Sequence, residues 1–182
     1  MVSLRKAGSY SKKYARPYTR ISKKKSKSFI KTVPQLKIVK FNIGNKKKYD
    51  NKEFETKISL ISGENAQIRD NAIESARQYV TKILETTMLG NFYFEVRVFP
   101  HHIQREHKMI TGAGADRMQS GMKHSFGKAV GKAAIVKEGK DILLIATSGE
   151  KNIRIAKDAL KSARAKLPCK NHIIIEKLQT TN

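Results

Sequence analysis

The first 49 residues of this chain contain 16 lysines and arginines and no aspartate or glutamate. Like charges at this density repel one another and oppose a compact state. We therefore predict that residues 1–33 form an extended basic arm and that residues 34–182 form a single folded domain. Aromatic side chains lie among the cations of the arm, where they can stack on bases or seal against a folded surface. These are Tyr10, Tyr14, Tyr18 and Phe29.

Positive charge also dominates the chain as a whole. Its 182 residues include 38 Lys and Arg against 15 Asp and Glu, a formal net charge of +23, and 39% are hydrophobic, enough for a real core. A polyanion outside the chain must compensate this charge, and nucleic acid, an acidic membrane surface and an acidic protein are the classes available. The longest apolar run, 142–146, is far too short for a membrane span, and the arm contains no amphipathic basic helix. No membrane partner is expected.

Hydrophobic periodicity predicts an α+β domain. The expected helices run from Ser62 or Gly63 to about Met88 and over about 150–166. The expected strands cover 36–41, 54–61, 92–99, 133–137, 141–147 and 172–177.

Local signals support the boundaries of the first helix. Ser62 is its predicted N-cap, Glu64 favours its first turn, and Gly90 is its predicted stop. The Ser-Gly-Glu triplet at 62–64 recurs at 148–150. This repeat predicts two related strand–helix units packed on one sheet system.

The segment 100–132 shows no convincing period. It holds six Lys and Arg, four His, five Gly and only two acids. A long irregular segment inside a compact domain is uncommon and usually functional. Glycines allow the backbone to approach a ligand closely, and cations without nearby acids suit phosphate oxygens. We therefore predict a functional loop over about 100–132.

Catalytic and metal-binding patterns do not account for this segment. His-Glu-x-x-His is missing, and five residues instead of four separate Gly121 from Gly127, with Ala129 after Lys128, which breaks the phosphate-loop motif. The single cysteine, Cys169, excludes an intrachain disulfide and a cysteine-rich zinc site and fits a reducing compartment. We predict that the chain is not an enzyme, with no catalytic residue, no metal, no cofactor and no small-molecule substrate.

A long and specific motif runs through the same segment. It comprises PHHI (100–103), REHKM (105–109), GAGADRM (112–118), GM (121–122) and FGK (126–128). With these residues the chain closely resembles the universal large-subunit ribosomal protein family L-sixteen, and most nearly the archaeal form of its L-ten-e branch. The resemblance extends over about residues 34–178. It implies a hammerhead-type α+β body in which two helices pack on mainly antiparallel strands, with a basic N-terminal arm and a long internal loop.

The resemblance also implies a function. It implies a structural constituent of the large ribosomal subunit in the cytoplasm, with large-subunit rRNA and neighbouring ribosomal proteins as partners. It further implies a part in positioning tRNA near the A and P sites and the peptidyl-transferase centre. The loop, here about 101–118, would point toward that centre, where RNA performs the chemistry.

The predicted RNA contacts fall in the arm and in the segment 100–132. They are Arg16, Arg20, Lys23, Lys24 and Lys25 in the arm, and Arg105, His107, Lys108, Gly112, Gly114, Arg117, Lys123 and Lys128 in the segment. For Arg69 and Arg77, RNA contact and a solvated helix face remain alternatives. Composition alone also allows a free-standing RNA chaperone or a DNA-compacting basic protein, which would bind duplex DNA at least as well as rRNA.

Overall fold

The computed structural model describes residues 16–106 and 127–178, and within these ranges the chain forms an α+β fold with three α-helices and two antiparallel sheets. The helices are α1 (Lys46–Asp50), α2 (Asp70–Thr87) and α3 (Glu150–Ala163), with 3-10 turns at Lys25–Lys27 and Arg164–Lys166. The strands are β1 (Asn42–Gly44), β2 (Thr56–Ser62), β3 (Ala66–Arg69), β4 (Phe92–Val96), β5 (His102–Glu106), β6 (Lys128–Val136), β7 (Asp141–Thr147) and β8 (Asn171–Lys177). None of the helices in these ranges is long and apolar enough to cross a membrane.

A five-stranded sheet in the order β1-β4-β7-β2-β8 forms the centre of the body. One face of the sheet packs against α2 and α3 in the main core, which includes Ile58, Phe94, Val80 and Leu160. The opposite face carries a smaller apolar cluster of Phe54, Tyr93, Leu144 and Ala146, covered by Tyr49. The predicted α+β class, with two long helices on antiparallel strands, is confirmed.

A second sheet of three strands, in the order β3-β6-β5, gives the segment 100–132 more structure than the sequence predicts. β5 and β6 form a hairpin in which His102 lies opposite Ala133 and Glu106 lies opposite Lys128. The prediction of an irregular segment is therefore wrong at both ends of 100–132. Glycine and polar residues hide the strand period there, and pairing between the two strands supplies the order that local pattern lacks.

The predicted start of the first helix at Ser62 or Gly63 is also wrong. Ala66 and Ile68 fit both a strand period and a helical period, and pairing of β3 with β6 decides for the strand. The Ser62 hydroxyl donates to the Glu64 carbonyl at 2.7 Å inside a turn, instead of capping a helix. α2 begins at Asp70, whose carboxylate suits the positive end of the helix dipole.

The predicted strand over 36–41 is replaced by an irregular stretch that leads into β1. The N–H of Lys37 donates to the carboxylate of Asp70 at 3.2 Å, and that of Val39 donates to Glu74 at 3.4 Å. These acids of α2 compete with a strand partner for the backbone donors. Regular pairing with β4 therefore begins only at Asn42.

The remaining predicted elements agree with the structure within a few residues. β7 and β8 lie at the predicted positions, and α3 continues into a 3-10 turn that reaches Lys166. The repeated Ser-Gly-Glu triplets at 62–64 and 148–150 follow β2 and β7, which are neighbours in the sheet. Only the second triplet opens directly into a helix, because β3 is inserted after the first.

Candidate nucleic-acid interface

Tyr18 fastens the arm to the three-stranded sheet. Its N–H donates to Nδ1 of His102 at 3.0 Å, and its carbonyl accepts a hydrogen bond of 3.0 Å from the N–H of Ile103. β5 is an edge strand, so these bonds occupy backbone and side-chain groups along that edge. The arm and the strand that leads into the loop therefore share one surface.

Cations and aromatic rings alternate at this junction. The guanidinium carbon of Arg105 lies 4.0 Å from the centre of the Tyr18 ring. Phe29 meets the Tyr18 ring edge-on at 6.2 Å, and the guanidinium of Arg20 lies 5.8 Å from the centre of the Phe29 ring. A cation over an aromatic face is attracted by the negative charge of that face, so these contacts hold positive charge in place on the surface.

Residues 20–30 form a compact turn that presents lysine side chains. The N–H of Ile30 donates to the carbonyl of Arg20 at 3.1 Å, and the Ser28 hydroxyl donates to the carbonyl of Ile30 at 2.6 Å. Ile30 is buried, whereas the side chains of Lys23 and Lys24 are exposed. Closure of the turn thus anchors one apolar residue and leaves the cations free to approach phosphates.

The residues that flank the segment 107–126 lie side by side in the second sheet. Glu106 and Lys128 are paired in the β5–β6 hairpin. Gly127 has a φ of +101°, and a Cβ atom at this position would lie 3.0 Å from the carbonyl carbon of Glu106. Only glycine fits this close approach without displacing the backbone. The flanking residues therefore belong to the same strand pair that holds the docked arm.

The protonation state of His102 is coupled to the docking of the arm. Burial lowers the pKa of His102, and the positive charge of Arg105 lowers it further. A neutral imidazole can accept the Tyr18 N–H through Nδ1, but a protonated one has no free acceptor. The observed hydrogen bond therefore requires neutral His102.

Acids accompany cations on the face of the central sheet that is opposite α2 and α3, here called the far face. Lys57 pairs with Glu176 at 2.8 Å, and Arg97 pairs with Glu95 at 3.3 Å. On the same face, burial raises the pKa of Tyr93 to about 12, and the charge of Glu95 adds to this effect. These two cations of the far face are thus paired with acids, whereas the arm carries cations in an acid-free stretch of sequence.

The structure describes the side chains of six of the predicted RNA contacts, in the arm and in the β5–β6 strand pair. The side chains of Arg16, Arg20, Lys23, Lys24 and Lys128 are exposed, and that of Arg105 is half-buried in β5 rather than in a loop. Lys25 lies in the 3-10 turn, and its side chain is not among those described. The other predicted contacts lie outside the described residues, namely His107, Lys108, Gly112, Gly114, Arg117 and Lys123.

Arg77 does not lie on a solvated helix face. Its Nε and its terminal nitrogen donate to the two carboxylate oxygens of Glu74 at 2.7 Å and 2.6 Å, and both residues are buried. The hydrogen bond from Arg77 lowers the pKa of Glu74. Arg77 therefore stabilises α2 as half of an ion pair. Arg69 closes β3 and is half-buried.

Sequence reasoning misses three residues beside the docked arm. The sequence assigns His102 no individual role among the four histidines of 100–132, although it accepts a hydrogen bond from the backbone of Tyr18. Phe99 and His101 form an exposed aromatic pair, and Pro100 separates them in sequence. The available signal is the two-residue spacing around Pro100, since a proline suits the tight turn that the His101 N–H closes on the Phe99 carbonyl.

Comparison with known proteins gives a consistent result. Residues 17–174 match the family described as ribosomal protein L16p/L10e. The chain is 45% identical over 165 residues to the large ribosomal subunit protein uL16 of Thermofilum pendens, which covers 90% of this chain and 91% of that protein. It is 42% identical to uL16 of Methanococcus maripaludis, with 98% and 97% covered, and 40% identical to uL16 of Archaeoglobus fulgidus, with 89% and 87% covered. The matched range contains both the docked part of the arm and nearly all of the body, and the chain belongs to the ribosomal protein L16p/L10e family.

Proposed function

We propose that this protein is a structural constituent of the large ribosomal subunit in the cytoplasm, where it binds large-subunit rRNA and contacts neighbouring ribosomal proteins. Family membership and the relatives named as large ribosomal subunit proteins support this assignment. RNA performs the chemistry of the ribosome in this proposal. The chain contributes cations and a rigid scaffold.

The observation that carries the proposal is the docking of Tyr18 on β5. Two hydrogen bonds of the Tyr18 backbone, to the His102 side chain and the Ile103 N–H, and the Arg105 contact join the arm to β5, so that cations from both act on one RNA surface. Phosphates repel one another at close approach, and lysine and arginine side chains remove that repulsion while releasing condensed counterions. The division into an arm, 1–33, and a body, 34–182, is part of this proposal.

A finer part of the proposal concerns tRNA. The connection 107–126 is rich in glycine and cations, and the residues on either side of it are paired, Glu106 with Lys128. We propose that this connection helps to position tRNA near the A and P sites and the peptidyl-transferase centre. The family resemblance of its motif supports this role.

Sedimentation of the tagged protein from cell lysate tests the main assignment. Gradients are run at moderate salt with and without ribonuclease. We expect stoichiometric co-migration with the large subunit that ribonuclease abolishes. Protein that stays at the top of the gradient, or that follows DNA, would contradict the proposal and favour an RNA chaperone or a DNA-compacting protein.

Variants of the loop test the tRNA role separately. We expect Lys108→Ala combined with Arg117→Ala to leave incorporation into subunits unchanged and to weaken chemical protection of tRNA in the A and P sites. Lys57→Ala is the matched control, because Lys57 is a cation paired with Glu176 on the far face. Unchanged tRNA protection in the loop variant would refute the tRNA role and leave the ribosomal assignment intact.

A further inference from the structure

A row of three aromatic rings runs from the core to the surface beside the docked arm. Phe41 packs against the main core and stacks on Phe99 with ring centres 5.3 Å apart and planes inclined by 20°. Phe99 in turn contacts His101 at 4.6 Å between ring centres. Phe99 is 44% exposed and His101 is also exposed, so the outer part of the row offers aromatic surface to solvent.

The backbone holds the outer rings in a fixed arrangement. The N–H of His101 donates to the carbonyl of Phe99 at 3.0 Å, and the buried Pro100 between them has a restricted φ. The carbonyl of Phe41 accepts from the N–H of Val96 at 2.8 Å, which ties the inner ring to β4. A ligand that binds these rings would therefore not need to order them first.

We propose that Phe99 and His101 form a stacking site for an unpaired nucleobase of the bound RNA. This inference rests on the proposed function, since it adds a base contact to an RNA-binding surface. Unpaired bases present flat faces that stack on aromatic side chains whatever the base, whereas arginines and lysines contact phosphates. The platform formed by Phe99 and His101 therefore supplies base stacking, a type of contact that the cations of the arm do not supply.

The position of the platform favours RNA over a protein partner. His101 directly precedes His102, which holds the arm through Tyr18, so the rings lie close in sequence to the point where the arm is attached. Lys40, next to Phe41, is exposed, and the chain carries a formal net charge of +23. A nucleotide brings both a stacking face and a phosphate, and it complements rings and cations at once.

Binding of two single-stranded RNAs to the full-length chain tests the proposal. The probes are an oligoadenylate and an abasic oligoribonucleotide of the same length, which carry equal phosphate charge. We expect Phe99→Ala to weaken binding of the oligoadenylate by about fivefold or more. Its affinity for the abasic probe should stay that of the wild type. Leu89→Ala is the matched control, because Leu89 is an 83% exposed apolar residue near the end of α2.

A fluorescent variant keeps the test valid if Phe99→Ala is unstable. The chain contains no tryptophan, so Phe99→Trp introduces a single indole that retains an aromatic plane. We expect the oligoadenylate, and not the abasic probe, to quench its fluorescence, and we expect neither probe to quench Leu89→Trp.

The possible failures can be distinguished. If wild-type protein binds the two probes equally and Phe99→Trp is not quenched, the stacking site is refuted while the ribosomal assignment stands. If the protein binds neither probe and does not sediment with the large subunit, the proposed function itself fails. If Phe99→Ala keeps the base preference but its purified subunits lose a neighbouring protein, the platform is a protein contact and the inference is overturned.

Discussion

Arg105 holds its guanidinium carbon 4.0 Å from the centre of the Tyr18 ring, and this contact joins the second sheet to the arm. It acts together with the hydrogen bond from the Ile103 N–H to the Tyr18 carbonyl. The exchange rate of the Ile103 amide therefore reports whether the arm is docked.

Removal of the Tyr18 ring should loosen the arm. A partly buried cation–π contact is worth about 1 kcal/mol, so Tyr18→Ala should raise the exchange rate of the Ile103 amide roughly fivefold. Tyr18→Phe is the control, because it keeps the aromatic face above which Arg105 lies. The same exchange rate in Tyr18→Ala and wild type would show that the backbone hydrogen bonds alone hold the arm.

Acidification should release the arm through His102. Its pKa in the folded chain lies below the ordinary value of 6.5, mainly because burial disfavours the charged form. The stabilisation is therefore fully present above pH 6.5 and is lost as the pH falls through the lowered pKa. We expect exchange of the Ile103 amide, corrected for the intrinsic pH dependence, to speed up over this range.

A non-titrating variant provides the control for this pH effect. His102→Gln keeps a side-chain oxygen as an acceptor and should make arm docking independent of pH in the same range. An identical pH response in His102→Gln and wild type would assign the effect to another group.

The sequence specifies some strands of the folded domain more completely than others. β7 could be predicted because its apolar run, 142–146, lies between turn residues and is buried between two neighbouring strands. β3 could not, since a strand of four residues contains too few alternations to distinguish it from the helix that follows. Its identity is decided by pairing with β6, which lies far away in sequence.

In the candidate site, too, features set by nearby residues could be predicted, whereas contacts between residues far apart in sequence could not. Acid-free composition identifies the arm, and a specific motif identifies the loop. Docking of the arm through Tyr18 and His102 could not be predicted, because it depends on two residues far apart in sequence meeting at a sheet edge. The burial of Arg77 could not be predicted for a similar reason. Its exposure is decided by the chain that covers α2, where Val39 also donates to Glu74.

The buried pair of Glu74 and Arg77 should contribute strongly to stability. Arg77→Ala leaves a buried carboxylate without its main partner, and we expect a loss of about 3 kcal/mol in the free energy of unfolding, measured with urea. Arg154→Ala breaks the exposed pair with Glu150, at 3.9 Å on α3, and should have no measurable effect. Equal effects of the two substitutions would contradict the structural role of Arg77.

Substitution of Gly127 should destabilise the protein more than substitution of Gly139, another glycine with a positive φ. Gly139 has a φ of +77°, and the space that a Cβ atom would occupy there is open, so Gly139→Ala should cost about 1 kcal/mol from backbone strain alone. Gly127→Ala adds a Cβ only 3.0 Å from the Glu106 backbone and should cost more. The free energies of unfolding of the two variants, measured with urea, give the difference, and equal costs would mean that Glu106 can move away.

Lysines in the arm should account for part of the salt dependence of rRNA binding. Each phosphate contact contributes about 0.7 to 0.9 to the slope of log affinity against log salt. We expect Lys23→Ala and Lys24→Ala each to reduce that slope by about this amount if each lysine makes one contact. Filter binding of an rRNA fragment over a range of salt concentrations measures the slope.

The Lys57→Ala variant is again the control, because it distinguishes the loss of a local phosphate contact from a change in net charge. Lys57→Ala removes the same charge as either arm variant, but from a cation that Glu176 already pairs on the far face. A change in overall charge alone would affect all three variants alike, because long-range attraction depends on the whole molecule. A reduced slope in the arm variants, with an unchanged slope in Lys57→Ala, would locate the phosphate contacts in the arm. Equal reductions in all three would show that the arm acts only through its contribution to net charge.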